Sequence, residues 1–398
     1  MEMMRSTEGL RDWAPSLMKR QGNGIESLNE PKKPVTLKCV IDYSSPNIAK
    51  EMHVGHLRST IIGDTLANMI EFCNGDVLRL NHVGDWGTQF GMLIEYMRES
   101  MPELTSKIEN AEVSYAIKAH ELSIGDLQDL YRNAKQRFDE DSTFKLRAQE
   151  SVVQLQQGDK ASKKIWEAIC EASRLEFNRI YDRLQIVGLL ERGESFYNSL
   201  IPNALDDLKN KNIASIDDGA LCVFPFGKEE VPLIVQKSDG GFNYASTDLA
   251  AIRQRIEVER ADWIIYVTDV GQKNHFDNVI KTARIAGWLP EDSETNNCPQ
   301  SGKILVSHVG FGLVLGEDGK RFRTRSGDVV RLADLLDEAK QRCREQLDER
   351  DSIPEIDRDR VAEVLGYGAV KYADLSNNRQ SNYTFSFDKM LDMKVSHV

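Results

Sequence analysis

Two histidines flank a glycine in the run Glu51-Met52-His53-Val54-Gly55-His56-Leu57-Arg58. Upstream, Val35-Thr36-Leu37-Lys38-Cys39-Val40-Ile41 is rich in β-branched residues and reads as a buried parallel strand over 35–42. Downstream, Leu57, Ile61, Ile62, Leu66, Met69 and Ile70 recur at helical spacing, which predicts a helix over about 54–73. A strand that passes into a helix through a glycine turn presents helix N-terminal amides to an anion. Imidazoles beside those amides bind phosphate oxygens where negative charge builds up. Gly55 has no Cβ, so a flat base or sugar can approach the backbone there. Far downstream, the glycine-punctuated run Gly316-Glu317-Asp318-Gly319-Lys320-Arg321-Phe322-Arg323-Thr324-Arg325-Ser326 gathers four cations. The two elements together suit attack on the α-phosphate of a nucleoside triphosphate. Fixed imidazoles would hold the leaving and equatorial oxygens, and loop cations would follow the pyrophosphate. Such transfer is mostly positioning and charge stabilisation, so no nucleophilic side chain is required. Taken alone, H-x-G-H reads equally as two surface histidines at a helix start, and the basic run as a surface patch.

The elements that must position these groups follow from the rest of the chain. Its 398 residues suffice for two or three domains, and 40% hydrophobic with 29% charged residues fits a soluble globular protein. A net charge of −12 excludes a uniformly basic coat but leaves room for a local basic groove. Six scattered cysteines without a C-x-x-C pair point to reduced, buried thiols and against zinc. No apolar run approaches a membrane span, and Glu2, Glu8 and Asp12 interrupt any secretory or transit pattern.

Residues 1–34 read as an irregular lead-in with a short helix near Leu10 to Met18. Residues 35–101 alternate strand and helix, with a second strand at Val77–Val83, a turn at Gly84–Gly87 and a helix from Thr88 to Glu99. That alternation predicts a Rossmann-like, doubly wound parallel α/β sheet with its ligand at the strand carboxyl ends. Residues 102–218 read as a mostly helical insertion, uninterrupted by strand signals through 210. Strands then return at Leu221–Phe224, Leu233–Gln236, Trp263–Thr268, Lys303–Val309 and Gly312–Leu315. Helices are expected from Asn243 to Glu257 and Asp277 to Ala286, and Asp239-Gly240-Gly241 reads as a hairpin-type turn. The sheet domain thus spans 35–327, and a helical stem over 328–398 covers Val330–Leu347 and Pro354–Tyr372.

Several motifs in this order resemble class I aminoacyl-tRNA synthetases, and specifically arginyl-tRNA synthetases of the eukaryotic cytosolic type. They are Ser44-Ser45-Pro46-Asn47-Ile48-Ala49-Lys50 running into H-x-G-H, and Asn81-His82-Val83-Gly84-Asp85-Trp86-Gly87-Thr88-Gln89-Phe90-Gly91. Further on come Tyr244-Ala245-Ser246-Thr247-Asp248, Tyr266-Val267-Thr268-Asp269-Val270-Gly271-Gln272 and Arg321-Phe322-Arg323-Thr324-Arg325-Ser326-Gly327. The similarity runs over about residues 35–391.

The resemblance implies a set of roles. His53 and His56 would stabilise the activation transition state, with Arg323 and Arg325 in the position of the KMSKS loop. Thr324 stands where that signature has its second lysine, and Lys50, just before H-x-G-H, would substitute for it. ATP would be bound by His53, Gly55, His56, Val309, Gly310, Arg321, Phe322 and Thr324, and would bring Mg²⁺ with it. L-Arginine would be held by Asp42, Ser45, Asn47, His56, Tyr244, Asp248 and Gln272. Carboxylates suit a guanidinium because its fork of donors matches their geometry. The family usually carries Glu where this chain has Asp42, one methylene shorter. Outside the resemblance, Asp248 also reads as a first-turn helix acid, Tyr244 as a core aromatic and Lys50 as a solvated loop lysine.

The implied activity is ligation of arginine to the acceptor end of tRNA(Arg), in the cytoplasm, by a monomer or a member of a multi-synthetase complex. Of the family's N-terminal tRNA-elbow domain, residues 1–398 would keep only a lead-in containing Asp12-Trp13-Ala14-Pro15, and the all-α anticodon-binding domain has no counterpart in them. A paralogue or fragment that binds ATP and arginine, or serves as an interaction module, is therefore the alternative. A different H-x-G-H nucleotidyltransferase, such as a cytidylyltransferase, fits the arginine-pocket residues and the helical insertion poorly.

Overall fold

The computed structural model describes residues 36–110, 124–290, 304–316, 330–350 and 353–386. The expected helix near Leu10 to Met18, the basic loop from Lys320 to Arg325 and the chain beyond 386 lie outside these residues. β1 (Lys38–Asp42) passes through a loop over 43–53 into α1 (Val54–Phe72), and β2 (Asp76–Asn81) follows. Next come α2 (Thr88–Ser100), α3 (Pro102–Asn110), α4 (Ile124–Glu140), α5 (Ser142–Gln156) and the long α6 (Lys160–Arg183). β3 (Leu190–Glu191), α7 (Glu194–Asn198) and α8 (Ile201–Asn210) lead to β4 (Ala214–Asp217), β5 (Ala220–Val223) and β6 (Leu233–Gln236). α9 (Tyr244–Glu257), β7 (Trp263–Tyr266), a 3-10 turn at Val270–Gln272, α10 (Lys273–Ile285), β8 (Leu305–His308) and β9 (Val314–Leu315) complete the α/β part. α11 (Leu332–Arg350), α12 (Glu355–Leu375) and β10 (Tyr383–Thr384) end the described chain.

Five strands form one parallel sheet in the order β3-β2-β1-β7-β8. β1 is central, and the chain builds outward first on one side and later on the other, the doubly wound pattern expected from the strand–helix alternation. Because successive side chains alternate faces, Cys39 and Ile41 enter one core and Val40 the other. The first core packs the sheet against α1, α2, α6 and α11 through Leu57, Ile61, Leu93, Ile169 and Leu335. The second packs it against α8, α9 and α10 through Leu205, Leu249 and Val279. Both faces are covered, so β1 has no solvent side, which is why it reads as a continuous apolar run rather than an alternation.

Some local expectations need correction. The stretch 102–210 contains β3, whose two residues pair in parallel with the end of β2 at Leu80 and Asn81. A two-residue strand with an exposed Leu190 carries no periodicity to detect. The hairpin turn is Asp218-Gly219, both at positive φ (46° and 80°), between the antiparallel β4 and β5. Asp239-Gly240-Gly241 instead joins β6 to α9. α10 begins at Lys273 rather than Asp277, because a 3-10 turn capped by Asp269 Oδ1 on the Gly271 amide (2.8 Å) feeds directly into it.

Candidate active site

The carboxyl ends of β1 and β7 open into a cleft of about 420 Å³ at the switch point of the sheet. Its floor is the start of α1. His53 is the N-cap of that helix, and its Nδ1 accepts the Gly55 amide at 3.0 Å. His56, three residues on, accepts the His53 amide on its own Nδ1 at 3.0 Å. The two imidazoles therefore form a reciprocal capping box, stacked with centroids 4.0 Å apart. With both Nδ1 atoms accepting, the neutral ring of each carries its proton on Nε2. Burial, then the neighbouring His53, then Lys50 lower His56 to about 3, so it is neutral at physiological pH. A ligand anion here meets helix amides and imidazole N–H groups rather than a fixed cation.

The loop over 43–53 is strained and heavily tied. Ser44, Ser45 and Ala49 sit at positive φ (75°, 48° and 61°). The Ser44 amide donates to Ser59 Oγ (2.9 Å), the Ser45 amide to Asn81 Oδ1 (2.9 Å) and the Ala49 amide to Ser173 Oγ (3.0 Å). Asn47 bridges to Gly84, where any Cβ would fall 2.2 Å from the Asn47 side-chain oxygen. Asn81 and Gly84, singled out in the sequence for family likeness, thus act by shaping this loop. Asp85 does similar work, accepting the Ser195 amide (2.8 Å) and hydroxyl (2.6 Å) at the start of α7. Ser45, Asn47, His53, Gly55, His56 and Gln272 all line the cleft. Lys50 lies over the Tyr131 ring of α4 at 4.8 Å, close enough to contribute to the depression of His56.

The acidic residues are arranged differently. Asp42 is buried, and its Oδ2 accepts Arg255 Nη2 at 2.7 Å while its Oδ1 receives the Ser45 hydroxyl at 3.3 Å. Arg255, fully buried on α9, lies over Tyr266 at 5.0 Å. Asp42 is thus committed to an internal arginine and stands behind Ser45; the sequence contains no local sign of that partner. Asp248 Oδ2 pairs with His275 Nε2 at 2.6 Å, and the His275 ring meets Tyr244 edge-on at 4.8 Å. His275 is one turn along from Gln272, which places Asp248 and Tyr244 next to the cleft wall that Gln272 forms. Glu194, at the start of α7, is a residue the sequence reading missed. Loss of solvent first, then the charges of Asp85 and Asp248, push its carboxyl up to about 8. A carboxyl that ionises so reluctantly beside a second acid is suited to receiving a cation.

Val309 and Gly310 sit where β8 leaves the sheet, the Val309 amide donating to Tyr266 O at 2.7 Å and the Gly310 carbonyl accepting from Arg379. They do not themselves line the cleft, whereas the following Phe311, Gly312, Leu313 and Val314 do. The expected loop residues Arg321, Phe322, Arg323, Thr324 and Arg325 fall outside the described residues.

Comparison with known proteins identifies the family. Residues 23–387 match the family model described as tRNA synthetases class I (R), catalytic domain. The chain belongs to the class I arginyl-tRNA synthetase family. It is 54% identical over 390 residues to the chloroplastic/mitochondrial arginine–tRNA ligase of Arabidopsis thaliana, covering 97% of this chain and 55% of that protein. Identity to the cytoplasmic arginine–tRNA ligase of the same plant is 53%, covering 97% of this chain and 60% of that protein. The crystal structure of the arginyl-tRNA synthetase of Plasmodium falciparum superposes with a TM-score of 0.73 at 34% identity, covering 96% of this chain and 61% of that one. The chain therefore spans a little over half the length of these relatives. Near-equal identity to an organellar and a cytoplasmic enzyme leaves the family assignment firm and does not single out the eukaryotic cytosolic type. Within the arginyl-tRNA synthetase family the Rossmann-like catalytic fold is shared, and a cytidylyltransferase reading falls away.

Among the described residues no helix is long and apolar enough to cross a membrane, and no cluster of three acids, histidines or cysteines is arranged to hold a metal ion. Cys39, Cys170, Cys222 and Cys343 are buried free thiols and Cys73 is a half-buried one.

Proposed function

We propose that the chain carries the activation site of an arginine–tRNA ligase. The arginine carboxylate attacks the α-phosphorus of ATP, forming the mixed anhydride arginyl-adenylate and releasing pyrophosphate. A ribose hydroxyl at the acceptor end of tRNA(Arg) then attacks the carbonyl, and AMP leaves. The observation that carries this reading is the stacked, Nδ1-locked pair His53 and His56 at the helix start, in one cleft with Ser45, Asn47 and Gln272. Neutral N–H donors fixed before the reaction stabilise charge that builds on the phosphate without reorganising.

In this reading the guanidinium lies toward Asp248, Glu194 and Tyr244, and the α-amino and carboxylate ends lie at Ser45, Asn47 and Gln272. Asp42 acts one step back, orienting Ser45 and balancing Arg255. Lys50 acts near His56, and Arg323 and Arg325 follow the departing pyrophosphate. Mg²⁺ would be brought by the triphosphate, and Asp269, which lines the cleft, is the acid that would be available to it. The protein works as a monomer or within a multi-synthetase complex, in the cytoplasm like one plant relative or in an organelle like the other.

Arginine-dependent ATP–pyrophosphate exchange on residues 1–398, with and without tRNA(Arg), tests the proposal. Exchange abolished by His53→Ala supports it. Binding of arginine or ATP without exchange marks a ligand-binding paralogue. Neither exchange nor binding by folded protein overturns it.

A further inference from the structure

Arg58 is an arginine of the signature helix that the roles above leave unused. It lies at the edge of the cleft yet is 1% exposed. Its Nε is 2.9 Å from Asp374 Oδ1 at the end of α12, and Asp374 is equally buried. The same oxygen accepts the Tyr383 hydroxyl at 3.0 Å. Arg58 Nη1 donates to Gly312 O at 2.7 Å, and the guanidinium is sandwiched between the rings of Phe311 (5.7 Å) and Tyr383 (5.0 Å). One side chain thus joins three parts of the molecule: the helix that bears both histidines, the 311–314 wall opposite them, and the C-terminal segment. That segment grips the wall a second time, through the parallel pairing of β9 with β10 and the bond from Arg379 to Gly310. Contact at Gly312 leaves no space at all, since a Cβ there would fall 2.4 Å from the Ser381 backbone.

The side chains of the wall, Phe311, Leu313 and Val314, are apolar, which suits a flat, neutral base and ribose; Asp269, bridged to Phe311, is the acid that lines the cleft beside it. We propose that Arg58 is a positioning residue for the nucleotide side of the cleft, setting the distance between the paired histidines and the 311–314 wall. The stem formed by α12 and β10 is then part of the nucleotide site, and any displacement of it reaches ATP before it reaches arginine. This rests on the activation-site reading above.

The test is calorimetric binding of ATP–Mg²⁺ and of L-arginine, separately, to the whole chain and two variants. Arg58→Lys keeps the charge beside Asp374 but loses the planar fork and the ring stacking. Gly312→Ala pushes the wall away from Ser381, shifting the two carbonyls that accept from Arg58 while leaving both members of the ion pair in place. Expected is a loss of ATP affinity of roughly tenfold in both, within the range of coupling through packed networks, and a change in arginine affinity below about twofold. Parallel loss of both affinities, or unchanged ATP affinity in either folded variant, overturns the proposal. Should Arg58→Lys fail to fold, Gly312→Ala decides alone. Wild-type protein that binds neither ligand defeats the activation-site reading, and this inference with it.

Discussion

The two ends of the cleft are built on opposite plans. The histidine end is local: His53, Gly55 and His56 fall within one turn, and the two histidines cap their own helix. The acid end is assembled from three distant segments, and its carboxylates stand beside the cleft rather than lining it. Asp42 closes β1, Glu194 opens α7, and Asp248 lies in the first turns of α9 with a histidine from α10 on its carboxylate. The first end stays neutral because burial holds His56 near 3; the second holds a proton on Glu194 up to about 8. Fixed neutral donors suit charge that appears only during reaction, whereas a reluctant acid suits a cation that arrives with the substrate.

Breaking each end separates the plans. The largest effect is expected from Arg255→Ala, which strands Asp42 as a buried unpaired charge. Stability should fall by about 3–5 kcal/mol, read from denaturant unfolding. A loss below 1 kcal/mol would show that the pair does not hold the β1 end together. Next is His53→Ala. Removing one preorganised donor should lower pyrophosphate exchange on the order of 10²–10³-fold while leaving arginine binding nearly intact. Equal loss of arginine binding would mean that the two ends are not separable.

Glu194→Gln is expected to be milder. It keeps the shape but removes one charge-assisted bond, worth roughly 1.5–3 kcal/mol, so the dissociation constant for arginine should rise about tenfold to a hundredfold. ATP binding should not change. The finest test is pH. A bound guanidinium favours ionised Glu194, so binding releases a proton wherever free Glu194 is protonated. Arginine affinity should therefore climb between pH 6 and 8, by at most about tenfold per unit, and level off above 8. His56 stays neutral throughout that window, and Glu194→Gln should flatten the slope. A slope that survives this variant would place the titrating group elsewhere.

How much of this was legible beforehand follows the same division. The strand–glycine–helix signature, the strand–helix alternation and the paired histidines depend on neighbours within a few residues, and local order is what a sequence displays. Ser45, Asn47 and Gln272 were found by likeness and do line the cleft, but their roles rest on the family. Asn81, Gly84 and Asp85 belong to the same recognisable motifs, yet the structure gives them loop-shaping contacts. The partners of the acids could not be read at all. Arg255 lies 213 positions from Asp42, and His275 lies 27 from Asp248. Whether a carboxylate is open to a ligand or closed by an internal cation depends on which side chains folding brings within 3 Å, and charge pairing leaves no periodic trace along the chain. Residue types and spacing settled what kind of chemistry this protein can attempt. Only packing decided that Asp42 stands behind the site, that Glu194 comes under the charge of Asp248, and that Arg58 ties the cleft wall to the C-terminal helices.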